Sequence, residues 1–162
     1  MTAKWGKTLI PPLLLRKLQI HNVILIKPWN EAKNIAYPIR HAVFVIEQGV
    51  PKEIEIDEHD PHASHALACF NTEYVGTARL IKLSRSCGQI GRMAVLAHSR
   101  NRGVGGRLLV ALIEYGKTEG MVEYLLHAQL GAIPFYEKLG FIPYGKIYDE
   151  AGISHRNMIL LI

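Results

Sequence analysis

The 162-residue chain reads as an α+β protein built on a mixed sheet. Two observations predict that class. In the first half, "HALACF" and "YVGTARLIKL" are apolar, β-branched runs separated by Asn71-Thr72-Glu73, the punctuation of an antiparallel hairpin. In the second half, the strand-like "QIGRMAVL" (89–96) and "MVEYLLHA" (121–128) flank a helical stretch, the order of a βαβ crossover. The composition, 49% apolar and 20% charged, is that of a globular chain able to bury a sizeable core.

Each element follows in order. "LQIHNVILIKP" (18–28) reads as the first strand. Residues 29–48 have a helical pattern with Asn30 as N-cap. Pro38 lacks an N–H and restricts Tyr37, so the pattern predicts two helical pieces, 30–37 and 39–47. "GVPKEIEIDEHDPHAS" (49–64) reads as a polar, acidic loop whose carboxylates Glu53, Glu55, Asp57 and Glu58 are solvated and available to attract a cationic substrate. Between residues 104 and 119, Val104, Leu108, Leu109, Leu112 and Ile113 recur at helical spacing. "AIPFYEKLG" (132–140) is a short helix ended by Gly140, and "FIPYGKIY" and "ISHRNMILLI" are the last two strands. Residues 1–17 read as an N-terminal extension to one domain spanning 18–162.

Composition also narrows the function. No window reaches the roughly 18 uninterrupted apolar residues of a membrane span. Pro11-Pro12 interrupts the early apolar run, and no small-residue cleavage site follows it, so the expected setting is cytoplasmic with no membrane partner. Cys69 and Cys87 form no CxxC and suit a reducing compartment. A net charge of +5 fits nucleic acid or a smaller polyanion such as a nucleotide diphosphate. No recognition helix or aromatic stacking surface stands out, and the arginines concentrate in one loop, so no nucleic-acid partner is expected. His59, His62 and His65 lie at three-residue intervals, but Pro61 prevents their helical alignment and no metal is expected.

The densest signal is "RNRGVGGRLL", with Gly103, Gly105 and Gly106 after a strand and before a helix. Helix N-termini offer unpartnered amides and a dipole that favours anions. Arg100, Arg102 and Arg107 oppose that dipole unless an anion sits there. A Walker loop is excluded because no Gly-Lys-Ser/Thr follows. A dinucleotide fingerprint needs a third glycine where Leu108 stands and an acidic residue ending the next strand, whereas Glu123 begins it.

This stretch resembles the Arg/Gln-x-x-Gly-x-Gly/Ala signature of the GNAT superfamily of acyl-CoA-dependent N-acyltransferases. The match falls on Arg100, Gly103 and Gly105 after "GRMAVL". "AIPFYEKLGF" resembles that family's second motif, and "RHAVFVIEQGVP" with "EAGISHRNM" resembles its ElaA-like branch. The resemblance spans 18–162 and implies a mostly antiparallel six- to seven-stranded sheet with helices on both faces. It implies acetyl-CoA as co-substrate and, as acceptor, a primary amine of a small molecule or of a peptide or protein. The pyrophosphate would lie on Asn101, Arg102, Gly103, Val104, Gly105 and Gly106, with Arg100 and Arg107 at hand. Pantetheine would pair with Met93-Ala94-Val95 beside Phe135. It further implies that this strand and "LLHAQ" splay apart. Tyr136 matches the family tyrosine that protonates or orients the leaving sulfur. For the base, Glu47, His127 and His155 border the expected slot, with Glu47 and His155 as the candidates. A catalytically weak acyl-CoA-binding module of the same fold is the competing reading. The last strands offer an edge for a homodimer.

Overall fold

The computed structural model describes residues 22–162. The predicted N-terminal extension, 1–17, and the start of the predicted first strand lie outside the described residues. The chain runs β1 (Val23–Pro28), α1 (Trp29–Arg40), a π-helical segment (His41–Glu47), α2 (Lys52–Glu55), β2 (Ser64–Phe70), β3 (Glu73–Lys82) and β4 (Cys87–Val95). It continues through α3 (Val104–Thr118), β5 (Glu123–Gln129), α4 (Ile133–Glu137), β6 (Ile142–Glu150) and β7 (Ile153–Leu161). Seven strands form one sheet in the order β1-β2-β3-β4-β5-β7-β6. Its neighbours are antiparallel except β4 and β5, which α3 joins as a parallel crossover. The predicted mixed α+β sheet is the observed one.

The alternation of strand residues divides the core between two faces. On β2, Ala66 and Ala68 face α3 and its row Val104, Leu108, Leu109 and Leu112. Leu67, between them, faces Trp29, Ala32 and Ala36 of α1. Farther along that second face, Ile39 and Val43 pack on Ala94 of β4. Each fully buried leucine of α3 contributes about 1.5–3 kcal/mol by leaving water.

Three local expectations need correction. Pro38 does not divide the first helix: α1 passes through it and continues directly into the π-helical segment. Pro38 is exposed, as is Asn34 four residues earlier, so the carbonyl left without a partner faces water. Ala32, Ala36, Ile39 and Val43 meanwhile anchor the opposite side. Asn30 does not cap this helix, which begins at Trp29 with Pro28 in the cap position. The segment 49–64 is not merely a solvated loop: it contains α2 and a 3₁₀ turn at Asp60–His62, and it buries Glu55 and Asp60.

At Gly116, α3 lies directly against the Tyr124 side chain of β5. A Cβ there would lie 2.5 Å from the Tyr124 hydroxyl, which donates to the Ile113 carbonyl at 2.8 Å. Both Tyr124 and the backbone it meets are buried, so the overlap cannot relax outward. Gly116→Ala is expected to destabilise the fold by about 1–3 kcal/mol, read as a shifted midpoint in urea unfolding.

Candidate active site

Parallel pairing of β4 and β5 covers only Cys87↔Glu123 through Ile90↔Leu126. Beyond that point β4 continues to Val95 and β5 to Gln129 without pairing, so the sheet opens into a slot. A bulge begins the divergence: Thr77 pairs with Ala94 but Arg79 with Gly91, leaving two β4 residues opposite Ala78. One of them, Arg92, holds φ +48°, a left-handed conformation that is strained for a side chain with a Cβ. The extra residue shifts the alternation, so Met93 joins Ile90 on the α3 core while Arg92 turns toward α2.

The slot belongs to a cavity of about 860 Å³. At one end sits the glycine turn. Asn101 and Gly103 both have positive φ, +60° and +76°, which turns the chain into α3. The first intrahelical bond at this end runs from the Arg107 amide to the Gly103 carbonyl at 3.1 Å, so the amides before it have no helical partner. Left-handed residues beside a helix start gather such amides into an anion-binding concavity. A Cβ on Gly105 would lie 3.4 Å from the Phe135 ring and 3.9 Å from Met93 Sδ, and one on Gly106 would meet nothing within 4 Å.

The three arginines of this turn diverge. Arg100 donates through Nε to the Val95 carbonyl at 2.9 Å and through both terminal nitrogens to Glu47 at 2.7 Å each. Arg107 donates to the Asn22 carbonyl at 2.6 Å and lies over the Phe70 ring, 5.0 Å from its centre. Arg102 is exposed. Of the three, Arg100 alone lines the cavity. Of the predicted pantetheine strand, Met93 and Val95 line it, whereas Ala94 is buried on the α1 face.

Phe135 and Tyr136 of α4 reach the slot from the α3 side, packed edge to face with ring centres 5.0 Å apart. The Tyr136 hydroxyl donates to Met93 Sδ at 3.8 Å. Burial pushes its phenol up to about 12, so the group is a protonated donor at neutral pH. His155 of β7 is buried at the opposite wall and stacks on Tyr148 at 6.0 Å. Its Nδ1–H donates to the Ile153 carbonyl at 2.7 Å, and in the neutral ring this leaves the lone pair on Nε2. His127 also lines the cavity, half-exposed, with Nδ1 3.6 Å from Glu150. Glu47 stands outside the cavity. The hydrogen bonds from Arg100 hold its carboxyl below the usual range, which makes it a poor proton acceptor.

The acidic loop supplies what the sequence reading missed. Buried Arg40 of α1 is ion-paired with Glu55 and with Asp60, the latter at 2.7 Å. Arg79 of β3 bonds Asp57 at 2.6 Å and Asp60 at 2.8 Å, and Arg92 bonds Asp57 at 3.0 Å. Three arginines and three carboxylates thus form an electrically balanced wall, buried except at Asp57 and Arg92, and Glu55, Arg79 and Arg92 line the cavity. The signal that could have revealed it is Arg79, a charge in the middle of the apolar strand "YVGTARLIKL", which must find a partner if buried. Gln129 at the end of β5 donates to Gln48 after the π-helical segment at 2.9 Å, tying the two lips of the slot. His65 lies apart on β2, its Nε2 3.0 Å from the Asp60 carbonyl, and does not align with His59 and His62. Among the described residues no group of three or more His, Cys, Asp or Glu side chains is placed to hold a metal ion. Nor is any helix among them long and apolar enough to cross a membrane.

A sheet split at its parallel pair, with a glycine-turned helix start over the split, is the architecture of acyl-CoA-dependent N-acyltransferases. Residues 26–141 match the sequence profile of the acetyltransferase (GNAT) family, and the chain belongs to that family. It is similar to the N-acetyltransferase YjcF of Bacillus subtilis, 36% identical over 125 residues, covering 76% of this chain and 89% of that protein. It is likewise similar to protein ElaA of Escherichia coli K12, 34% identical over 124 residues, covering 74% of this chain and 81% of ElaA. The crystal structure of Escherichia coli ElaA superposes with a TM-score of 0.75 and 29% identity, over 85% of this chain and 98% of that one. The protein is therefore a GNAT-type acyltransferase that uses acyl-CoA.

Burial raises the Asp60 pKa, but bonds from Arg40, the Asp57 amide and Arg79 prevail and hold it at about 2, below its ordinary 3.8. A depressed carboxylate pKa stabilises the fold above the unfolded value, and the contribution is lost as pH falls through the folded one. Stability should therefore decline between about pH 4 and pH 2 by this route, and Asp60→Asn should flatten that decline. The same variant leaves Arg40 and Arg79 short of a partner and should cost about 3–5 kcal/mol at neutral pH, both measured by chemical denaturation.

Proposed function

We propose that the protein transfers an acetyl group from acetyl-CoA to a primary amine by direct attack within the slot. The observation that carries this reading is the slot itself, which joins an anion-binding helix start, an unpaired strand edge and a half-buried tyrosine in one cavity. The diphosphate of CoA would rest on the amides of Asn101 through Gly106, where the absent side chains of Gly105 and Gly106 leave room. The Leu96 amide is taken by the Val75 carbonyl on the β3 side, so by strand alternation the Val95 amide faces the slot. There it can pair with the pantetheine arm or polarise the thioester carbonyl.

Nucleophilic attack forms the C–N bond, breaks the C–S bond and requires two proton transfers. Tyr136 donates its proton to the departing thiolate, since burial keeps the phenol protonated. His155 Nε2 accepts the proton that the amine loses, because Nδ1–H is committed to the Ile153 carbonyl. Both then exchange with solvent. Glu47, turned outward, instead holds Arg100 across the mouth.

The reading is tested by following free-thiol release from acetyl-CoA across a panel of amines. Acetylated amine with stoichiometric CoA supports it; tight CoA binding without release from any amine supports the binding-module alternative. Tyr136→Phe should lower kcat by about 10²–10⁴-fold with CoA affinity held within a few-fold. His155→Gln should lower kcat/KM by about 10²–10⁴-fold, whereas Glu47→Gln should leave it within a few-fold. Because the phenol loses its proton only near pH 12, wild-type enzyme should show no descending limb from Tyr136 below that range.

A further inference from the structure

The arginine–carboxylate wall has a pattern of unused atoms that separates its cavity-lining members from the rest. Arg40 does not line the cavity, and all three of its guanidinium nitrogens donate to Glu55 or Asp60. Arg79 lines the cavity, and its Nε has no partner although the residue is only 4% exposed. Arg92 also lines it and donates from Nε to the Glu55 carbonyl at 3.1 Å. From Nη2 it donates to the Ile54 carbonyl and to Asp57, leaving Nη1 outside every one of these bonds. The two guanidinium groups converge on the same Asp57 carboxylate, so their spare donors belong to one patch. Glu55, 1% exposed, uses Oε1 on Arg40 and leaves Oε2 without a partner.

Buried polar atoms are rarely left unsatisfied, because each costs the desolvation it has already undergone. Here the buried unsatisfied atoms are Arg79 Nε and Glu55 Oε2 beside the same cavity, and Arg92, partly exposed there with Nη1 outside these bonds, is held in a strained backbone conformation. Two guanidinium donors match the two oxygens of a carboxylate. The wall already balances three positive against three negative charges, so a lone anion or a phosphate dianion would leave it charged. A molecule carrying both a carboxylate and an amine would not.

We infer that Arg79, Arg92 and Glu55 form the acceptor subsite, and that the acceptor is an amino acid-type molecule whose carboxylate meets the spare donors of Arg79 and Arg92. Glu55 Oε2 accepts from an N–H of the same molecule. This inference rests on the acetyl-transfer reading and deepens it.

The test compares α- and ω-amino acids with their primary amides and with the matching aminophosphonates, each pair at a pH where amine protonation is equal. With wild-type enzyme the carboxylate should exceed its amide in kcat/KM by at least about tenfold, the scale expected when a charged donor pair is left unpaired by the analogue. It should exceed the phosphonate as well. Arg92→Gln should bring the carboxylate-to-amide ratio to about one; a merely structural role for Arg92 would lower both rates and leave the ratio unchanged. Equal rates for carboxylate and amide in the wild type overturn the inference without touching the acetyl-transfer reading, as does preference for the phosphonate. If no amine is acetylated, that reading fails separately. The same three ligands titrated by calorimetry against the CoA-saturated protein then decide the subsite by their affinity ratio.

Discussion

The pairing of β4 with β5 stops at Ile90 and Leu126, and the remaining features of the site depend on that stop. Two parallel strands that stayed paired would satisfy each other's amides and leave no unpaired edge between them. The bulge at Arg92–Met93 turns β4 away, and the side chains of Phe135, Tyr136 and Met93 occupy the α3 side of the gap. Gln48 and Gln129 bridge the other side. The opening is thus held from both faces of the sheet by groups that are themselves packed or bonded.

Around that opening the two faces divide the work. The α3 face brings the glycine turn and α4, both within about forty residues of each other in sequence and both built from local signals. The α1 face brings the π-helical segment, α2 and the charged wall, whose members come from α1, from α2 and the turn after it, from β3 and from β4. In the proposed reaction, acyl donor chemistry falls on one side and acceptor recognition on the other.

The same division explains what was legible in the sequence. The turn "RNRGVGGRLL" and the motif "FYEKLGF" carry their geometry locally, through positive φ, helix starts and a short helix stop, so α3 and α4 could be placed in advance, whereas the slot and the role of Tyr136 followed from the family resemblance alone. The mixed sheet was legible because hairpin and crossover patterns are also local. Glu55, Asp57 and Asp60 were not, because their burial is decided by Arg40 and Arg79, roughly twenty residues away on either side. A run of carboxylates looks solvated until its partners are known. Pro38 misled for a similar reason: its cost depends on whether the abandoned carbonyl of Asn34 faces water or core, and that is set by tertiary placement.

The π-helical segment His41–Glu47 lies where the first helix passes from packing on β2 to packing on β4. An α-helix advances about 100° per residue, and a π turn absorbs one more residue than an α turn. Everything after Arg40 is therefore rotated by nearly a third of a revolution relative to a regular continuation. Phe44 and Gln48 line the cavity in this rotated setting, while Arg40 and Val43 remain buried. The phase of the wall is accordingly a property separate from its composition. Removing or adding a single residue here would present a different set of side chains to the cavity without changing a single strand of the sheet.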